Sequence, residues 1–446
     1  MQRILSDAAE RAGRYIDNAS DRRVPPTAGA IAALQQLGGD LPDGPTNDAE
    51  VIALLDEIGS PGTSTTTGPR YFGFVIGGSH PVSVAANWLA AAWDQNTGLE
   101  IISPAANRLE EIAGRWVVDL LGLPHESCVG FVTGATSANF TAICAARHAL
   151  LKRAGWDVEQ DGLYGAPPIK VVVGDEVHTS VLKGLALAGL GKRRVHRVPV
   201  DDQGRMIADL LPDLDDMTLV LTQGGNVDTG SFDPIGTVCA RAAGTGAWVH
   251  VDGAFGLWAA ASPSYAHLTK GIALADSWAL DVHKWLNVPY DSGLMICRHP
   301  GFVRGGMSAA APYLIEGAPR EPYHYTPELS RKGRGAEVWA TLRSLGKSGV
   351  ADLIERNCSQ AARFADKLGE AGFEILNDVV LNQVLVSFGT PDRTNEIISR
   401  IQQDGTCWVG GTLWQGRTAM RISVCNWSTT DADVDKSVAS MINAAR

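Results

Sequence analysis

Residues 275–293, ADSWALDVHKWLNVPYDSG, set Lys284 between His283 and Trp285 inside a mostly apolar run. An ammonium group placed there loses hydration that apolar neighbours cannot replace. A desolvated lysine gives up its proton more easily and becomes a nucleophile able to form a Schiff base with an aldehyde. The same residue could instead lie along an apolar surface with its head in water. Three other motifs carry groups of complementary kind. AWVHVDGAFG ends a β-rich run on Asp252, and Gly253 and Ala254 after it are small enough for a flat ring to approach. GDEVHTSVLKG places His178 just past another such run, as a ring that stacks on an aromatic ligand or as a plain helix cap. TGATSANF is a glycine-bearing turn leading straight into a helix. Its first N–H groups, with the Thr136 and Ser137 hydroxyls, suit a phosphate dianion, or the hydroxyls merely cap the helix.

These groups are far apart in sequence, so the elements between them must bring them together. From about Val129 short apolar runs alternate with amphipathic, helix-length segments: VGFVTG, KVVVGDEVH, LVLTQGGN, AWVHVDGAFG, ADSWALD and SGLMICR. Continuous apolar strands separated by helices predict a mostly parallel sheet covered on both faces. Ligands bind such sheets at the carboxyl ends of the strands. Thr133–Thr136, Asp175, Gln223–Asn226, Asp252 and Asp281 are thereby expected on one rim. Residues 1–64 read as an N-terminal helical segment, 65–310 as a large domain, and 311–446 as a loop followed by a small α+β domain.

Composition narrows the function classes. The 446 residues carry a net charge of −11, which argues against a non-specific nucleic-acid or anionic-membrane binder. No uninterrupted apolar run reaches membrane-spanning length, and the first twenty residues lack the apolar core of a signal peptide. Seven cysteines without a CxxC pair suit packed thiols in a reducing cytoplasm. No metal site is expected.

Lys284 follows Asp252 across one further strand. An amine and a carboxylate brought together in this way suit pyridoxal 5'-phosphate, whose aldehyde the amine would hold while the acid keeps the pyridine nitrogen protonated. VHVDGAFG, ADSWALDVHKWLNVPYDSG and DEVHTSVLKG together resemble the group II pyridoxal-phosphate amino-acid decarboxylases. The resemblance extends through YFGFVIGGSHP, SPAANRLEEIAGRWVVDLLGLP, GFVTGATSANFTA, SRKGRGAEVWATLRSLGKSG and MRISVCNW, from about residue 65 to the end. It implies an aspartate aminotransferase-like α/β fold (fold type I). It also implies decarboxylation of an L-amino acid to an amine and carbon dioxide through a Lys284 aldimine. Carried over residue by residue, Lys284 is the Schiff-base lysine, Asp252 the partner of the pyridine nitrogen, and His178 the stacking ring. Ala254 touches the opposite face. Ala135 and Thr136 cradle the phosphate, with Ser277 and His283 close by. Asn226 makes a polar contact to the cofactor or fills a turn. Phe74, Asn96 and Arg421 face the substrate, the arginine by a bidentate fork or as a bridge between domains. The family is dimeric, so residues 93–102 would line the pocket of a second copy.

Two departures bear on the chemistry. Asp281 stands where the family often has Asn, which puts an acid beside the expected phosphate. The family's loop tyrosine, which protonates the decarboxylated carbon, aligns without gaps on Pro322, so Tyr323, one residue away, is taken as the donor, ahead of Tyr325. Relatives without that tyrosine form aldehydes oxidatively. Such an aldehyde synthase, or an aminotransferase on the same fold, is the alternative reading.

Overall fold

The computed structural model describes residues 2–309 and 320–446. The loop expected from residue 311 therefore lies in part outside the described residues.

Seven strands form the larger sheet: β1 (Cys128–Val132), β2 (Lys170–Gly174), β3 (Val195–Val198), β4 (Thr218–Gln223), β5 (Trp248–Asp252), β6 (Ser277–Asp281) and β7 (Gly293–Cys297). Their order is β1-β7-β6-β5-β4-β2-β3. β6, β5, β4, β2 and β3 pair in parallel, while β7 runs antiparallel to both β1 and β6. Every residue of β4 to β7 is buried, which is why these strands read as unbroken apolar runs rather than as an alternation. The helix Ala135–Arg153 packs on the sheet, and Ala142, Leu150, Val173, Leu221, Ala279 and Met295 close the core between them.

This topology places the functional groups. Gln223 pairs with Asp252, Asp252 with Ala279, and both Val132 and Asp281 lie opposite Gly293. The carboxyl ends of β1, β4, β5 and β6 therefore emerge along one edge, as the mostly parallel order requires.

The chain divides into two compact units. One is Ser79–Ser359 with Asn377–Gln383; the other is the chain up to Gly78 with Gln360–Leu376 and Val384–Arg446. This division differs from 1–64, 65–310 and 311–446. The N-terminal segment clusters with the C-terminal one because backbone bonds join them. Val24 N–H donates to the Gly405 carbonyl at 3.0 Å, Phe72 N–H to that of Trp408 at 2.8 Å, and Ser423 N–H to that of Phe72 at 2.9 Å. A further sheet contains β8 (Glu374–Ile375), β9 (Gln383–Ser387), β10 (Gly410–Trp414) and β11 (Arg417–Ser423), in the order β10-β11-β9-β8. Among the described residues no helix is long and apolar enough to cross a membrane. Cys128 is half-buried and the other cysteines are buried, all as free thiols.

Candidate active site

The flanks of Lys284 explain its position. Trp285, 1% exposed, donates its indole N–H to Asn357 Oδ1 at 3.0 Å. On the other side His283 Nδ1 accepts the Ser292 N–H at 3.1 Å, and its ring stacks on Tyr290 with centroids 4.2 Å apart. Burial lowers the His283 pKa, outweighing the opposite pull of Asp281. With both neighbours turned inward, the lysine stem is left to reach the strand edge, where Nζ lies 2.8 Å from Asp281 Oδ2.

Asp281 has two compensations for its burial. Besides the Lys284 ammonium, its Oδ1 accepts the Ala135 N–H at 2.5 Å, at the positive end of the Ala135–Arg153 helix. The acid that looked awkward beside a phosphate thus caps the helix and pairs with the lysine. Ala135 spends its N–H on Asp281. The N–H groups of Thr136 and Ser137 follow in the same first turn, where no earlier helical carbonyl serves them. Thr133 and Ser137 hydroxyls hydrogen-bond each other at 2.8 Å beside them.

Asp252 ends β5 and is 5% exposed. Its Oδ2 accepts from Asn139 Nδ2 at 3.1 Å and from the Ser180 hydroxyl at 3.4 Å, and its Oδ1 accepts the Ala254 N–H at 3.2 Å. The Ala254 carbonyl in turn accepts the Asp281 N–H at 2.8 Å. Asp252 and the Lys284 partner Asp281 are therefore linked through one residue, on the same edge. His178 joins from the other side: its Nδ1 accepts the Ser180 N–H at 3.2 Å, capping the helix Thr179–Leu187, and lies 2.8 Å from the Ser180 hydroxyl. His178, Thr136, Ser180, Lys183 and Lys192 line a cleft of about 510 Å³.

Other expected site residues have partners of their own. Ser277 begins β6, at the opposite end of that strand from Asp281, and is held by Trp248 and His250 in the core; it is no part of a phosphate cradle. A residue at the amino end of a parallel strand cannot reach the carboxyl edge of the sheet. Asn226 uses its side-chain oxygen on the Asp228 and Thr229 N–H groups at 2.8 and 3.2 Å, so it closes a turn. Tyr323 lies in a short 3-10 turn, Pro322–Tyr325, and is 1% exposed, with its N–H on the Gly98 carbonyl at 3.1 Å. Asn96 is tied to Ser330 and to the Arg331 N–H, both at 3.2 Å. In the other compact unit Phe74 is 60% exposed at φ +56°, with its ring stacked on Trp408, and Arg421 lies on β11 opposite Gly410. Asn139, Ser180, His250 and Trp248 were not singled out from the sequence. The available signal was polar side chains set in apolar segments, WVHVD and SANF.

The site fits pyridoxal phosphate by its donor set and its clearances. It offers the Lys284 amine, a carboxylate linked to it through Asp281 and Ala254, a planar ring at the cleft and a helix N-terminus. A Cβ on Gly134 would come within 3.0 Å of His283 and 3.2 Å of Asp281, so the turn opening the helix keeps its backbone bare. Gly293 on β7 approaches even closer, since a Cβ there would meet Gly134 Cα at 2.5 Å. Gly293→Ala is expected to cost roughly 1–3 kcal/mol by overpacking and to weaken cofactor retention, read by melting and by absorbance after dialysis. Wild-type retention would mean the turn has slack.

Comparison with known proteins agrees with this chemistry. Residues 33–389 match the family described as the pyridoxal-dependent decarboxylase conserved domain. Tryptophan decarboxylase 1 of Oryza sativa subsp. japonica is 26% identical over 424 residues, covering 85% of this chain and 81% of the relative. The 4-hydroxyphenylacetaldehyde synthase of Rhodiola rosea is 26% identical over 412 residues, covering 84% and 81%. The fold superposes on the crystal structure of Oryza sativa TDC with PLP and tryptamine at a TM-score of 0.91, with 21% identity, covering 100% of this chain and 97% of that one. With a family match across most of its length, this chain belongs to the pyridoxal-dependent decarboxylases, carboxy-lyases that use pyridoxal 5'-phosphate.

Proposed function

We propose that the chain decarboxylates an L-amino acid at Lys284, with Asp252 as the acid that faces the cofactor nitrogen. The observation that carries this reading is the linkage Lys284–Asp281–Ala254–Asp252 along the ends of β5 and β6. When bound, pyridoxal phosphate supplies an electron sink for the pair released as carbon dioxide leaves. The residues of this chain do the rest. With the cofactor bound, the Lys284 amine would anchor it and the Asp252 carboxylate would accept a hydrogen bond from its ring nitrogen. His178 offers a flat face, and the Thr136 and Ser137 N–H groups hold the phosphate. Asp281, 2.8 Å from Nζ, would hold the Lys284 head at the strand edge beside the cofactor. A decarboxylase must also leave the substrate carboxylate poorly solvated, because strong donors would stabilise the charge being lost.

The relatives point to aromatic amino acids as the first substrate class to test. Trp88, Leu89, Trp93, Ile101 and Ile102 expose apolar surface in residues 81–102 and support a homodimer through that face. One observation favours a second reading, the oxidative aldehyde synthase: Tyr323, taken as the donor that returns a proton to carbon, is buried in its turn. Carbon dioxide, oxygen uptake and ammonia measured over an amino-acid panel separate the two. Carbon dioxide with amine and no oxygen uptake is the expected result. Stoichiometric oxygen consumption with ammonia would replace it with aldehyde formation, and neither product with any amino acid would sink both.

A further inference from the structure

Behind Asp252 runs a buried chain of hydrogen bonds. The Trp248 indole N–H donates to Ser277 Oγ at 2.9 Å, Ser277 Oγ lies 2.9 Å from His250 Nδ1, and His250 Nε2 lies 2.8 Å from Asn139 Oδ1. Asn139 Nδ2 then donates to Asp252 Oδ2 at 3.1 Å. Trp248 is 2% exposed, and Ser277, His250 and Asn139 are 0% exposed. Burial pushes the His250 imidazole down to about 3, so at neutral pH it carries a single N–H.

The direction of the chain follows from what each end can do. An indole nitrogen only donates, and a carboxylate only accepts. Asp252 therefore requires the amide nitrogen of Asn139 and turns the amide oxygen toward His250. That oxygen requires the proton on Nε2, which leaves Nδ1 as an acceptor for the Ser277 hydroxyl proton, while Ser277 Oγ takes the indole N–H. Reversing any one link sets two acceptors or two donors face to face in a water-free core, at a cost of about 1–3 kcal/mol. A core needing only to be filled would use apolar side chains here; this one spends four polar groups, all aligned toward one carboxylate.

We propose that Trp248, Ser277, His250 and Asn139 form a one-way relay that fixes the Asp252 carboxylate as an acceptor aimed at the cofactor nitrogen, and are thus positioning residues for the reaction. The proposal rests on the role assigned to Asp252 above. It assigns function to Ser277 at the far end of β6, where no phosphate contact is available, and to a histidine that never touches the reacting atoms.

The test uses full-length protein loaded with pyridoxal phosphate labelled with ¹⁵N in the ring, whose nitrogen resonance distinguishes protonated from unprotonated pyridine. Wild type is expected to show a protonated nitrogen at neutral pH. His250→Phe and Asn139→Leu are expected to move the resonance toward the unprotonated position, with the apparent pKa of the ring nitrogen lower by about one unit or more and kcat lower by roughly 10- to 100-fold at little-changed KM. Trp248→Phe and Ser277→Ala are milder changes that keep the test alive if the larger ones do not fold, and should shift the resonance in the same direction by less. Asp252→Asn sets the unprotonated limit. Folded variants with a wild-type resonance and wild-type kcat would overturn the relay while leaving the proposed function standing. Wild-type protein that fails to take the cofactor on Lys284, seen as absent visible absorbance, would overturn both.

Discussion

Lys284→Ala protein is expected to show none of the visible absorbance of a lysine-bound cofactor and no measurable turnover. The amine is a nucleophile that the structure delivers to the edge shared by β5 and β6, 2.8 Å from the Asp281 carboxylate. Alanine removes both the nucleophile and the charge beside Asp281, so a second substitution separates the two roles. Lys284→Arg keeps a cation for Asp281 yet offers no amine that deprotonates in the useful range. Both variants should therefore be inactive, while only the alanine variant leaves Asp281 without its partner cation. Apo protein titrated with pyridoxal phosphate should still bind it reversibly in either variant, because Asp252, His178 and the turn at Thr136 are unchanged. Turnover by the arginine variant would reduce Lys284 to an electrostatic role.

The largest effect on stability is expected at a second buried ion pair. Glu110 and Arg331 are joined by two hydrogen bonds, 2.6 and 2.7 Å, with side chains 0% and 2% exposed. Glu110 also accepts the Arg334 N–H at 3.2 Å, so it fastens the segment that follows Tyr325 against the helix Pro104–Leu120. Glu110→Ala strands a buried guanidinium and should cost about 3–5 kcal/mol, read as a lower urea midpoint. The double variant Glu110→Ala, Arg331→Met removes the charge together with its partner and should recover much of that loss. Equal midpoints for the single variant and wild type would show that water reaches Arg331 after all.

Much of the candidate site's edge was legible in the sequence because a parallel sheet marks the carboxyl ends of its strands in a simple way. Buried strands are mostly apolar, and the polar residue that stops each one marks the carboxyl end. Asp252 and Asp281 were readable for that reason, and so was the lysine that breaks an apolar run. Ser277, set near the phosphate by the family resemblance and not by this rule, is a polar residue that opens a strand instead of closing it. Strand direction decides which end faces the ligand, and that direction belongs to the sheet rather than to the residue.

What only the tertiary structure decided are the pairings across elements. The sequence shows an acid at 281 but not the Ala135 N–H 2.5 Å from it, since helix and strand meet only once β7 lies between β1 and β6. Nor does it show that His250, one polar residue inside WVHVD, has Ser277 on one side and Asn139 on the other. Local pattern reports which residues prefer burial and which end an element, because those preferences act within a few residues of chain. Hydrogen-bond partnership between residues a hundred positions apart depends on how layers stack, and no short-range preference encodes it.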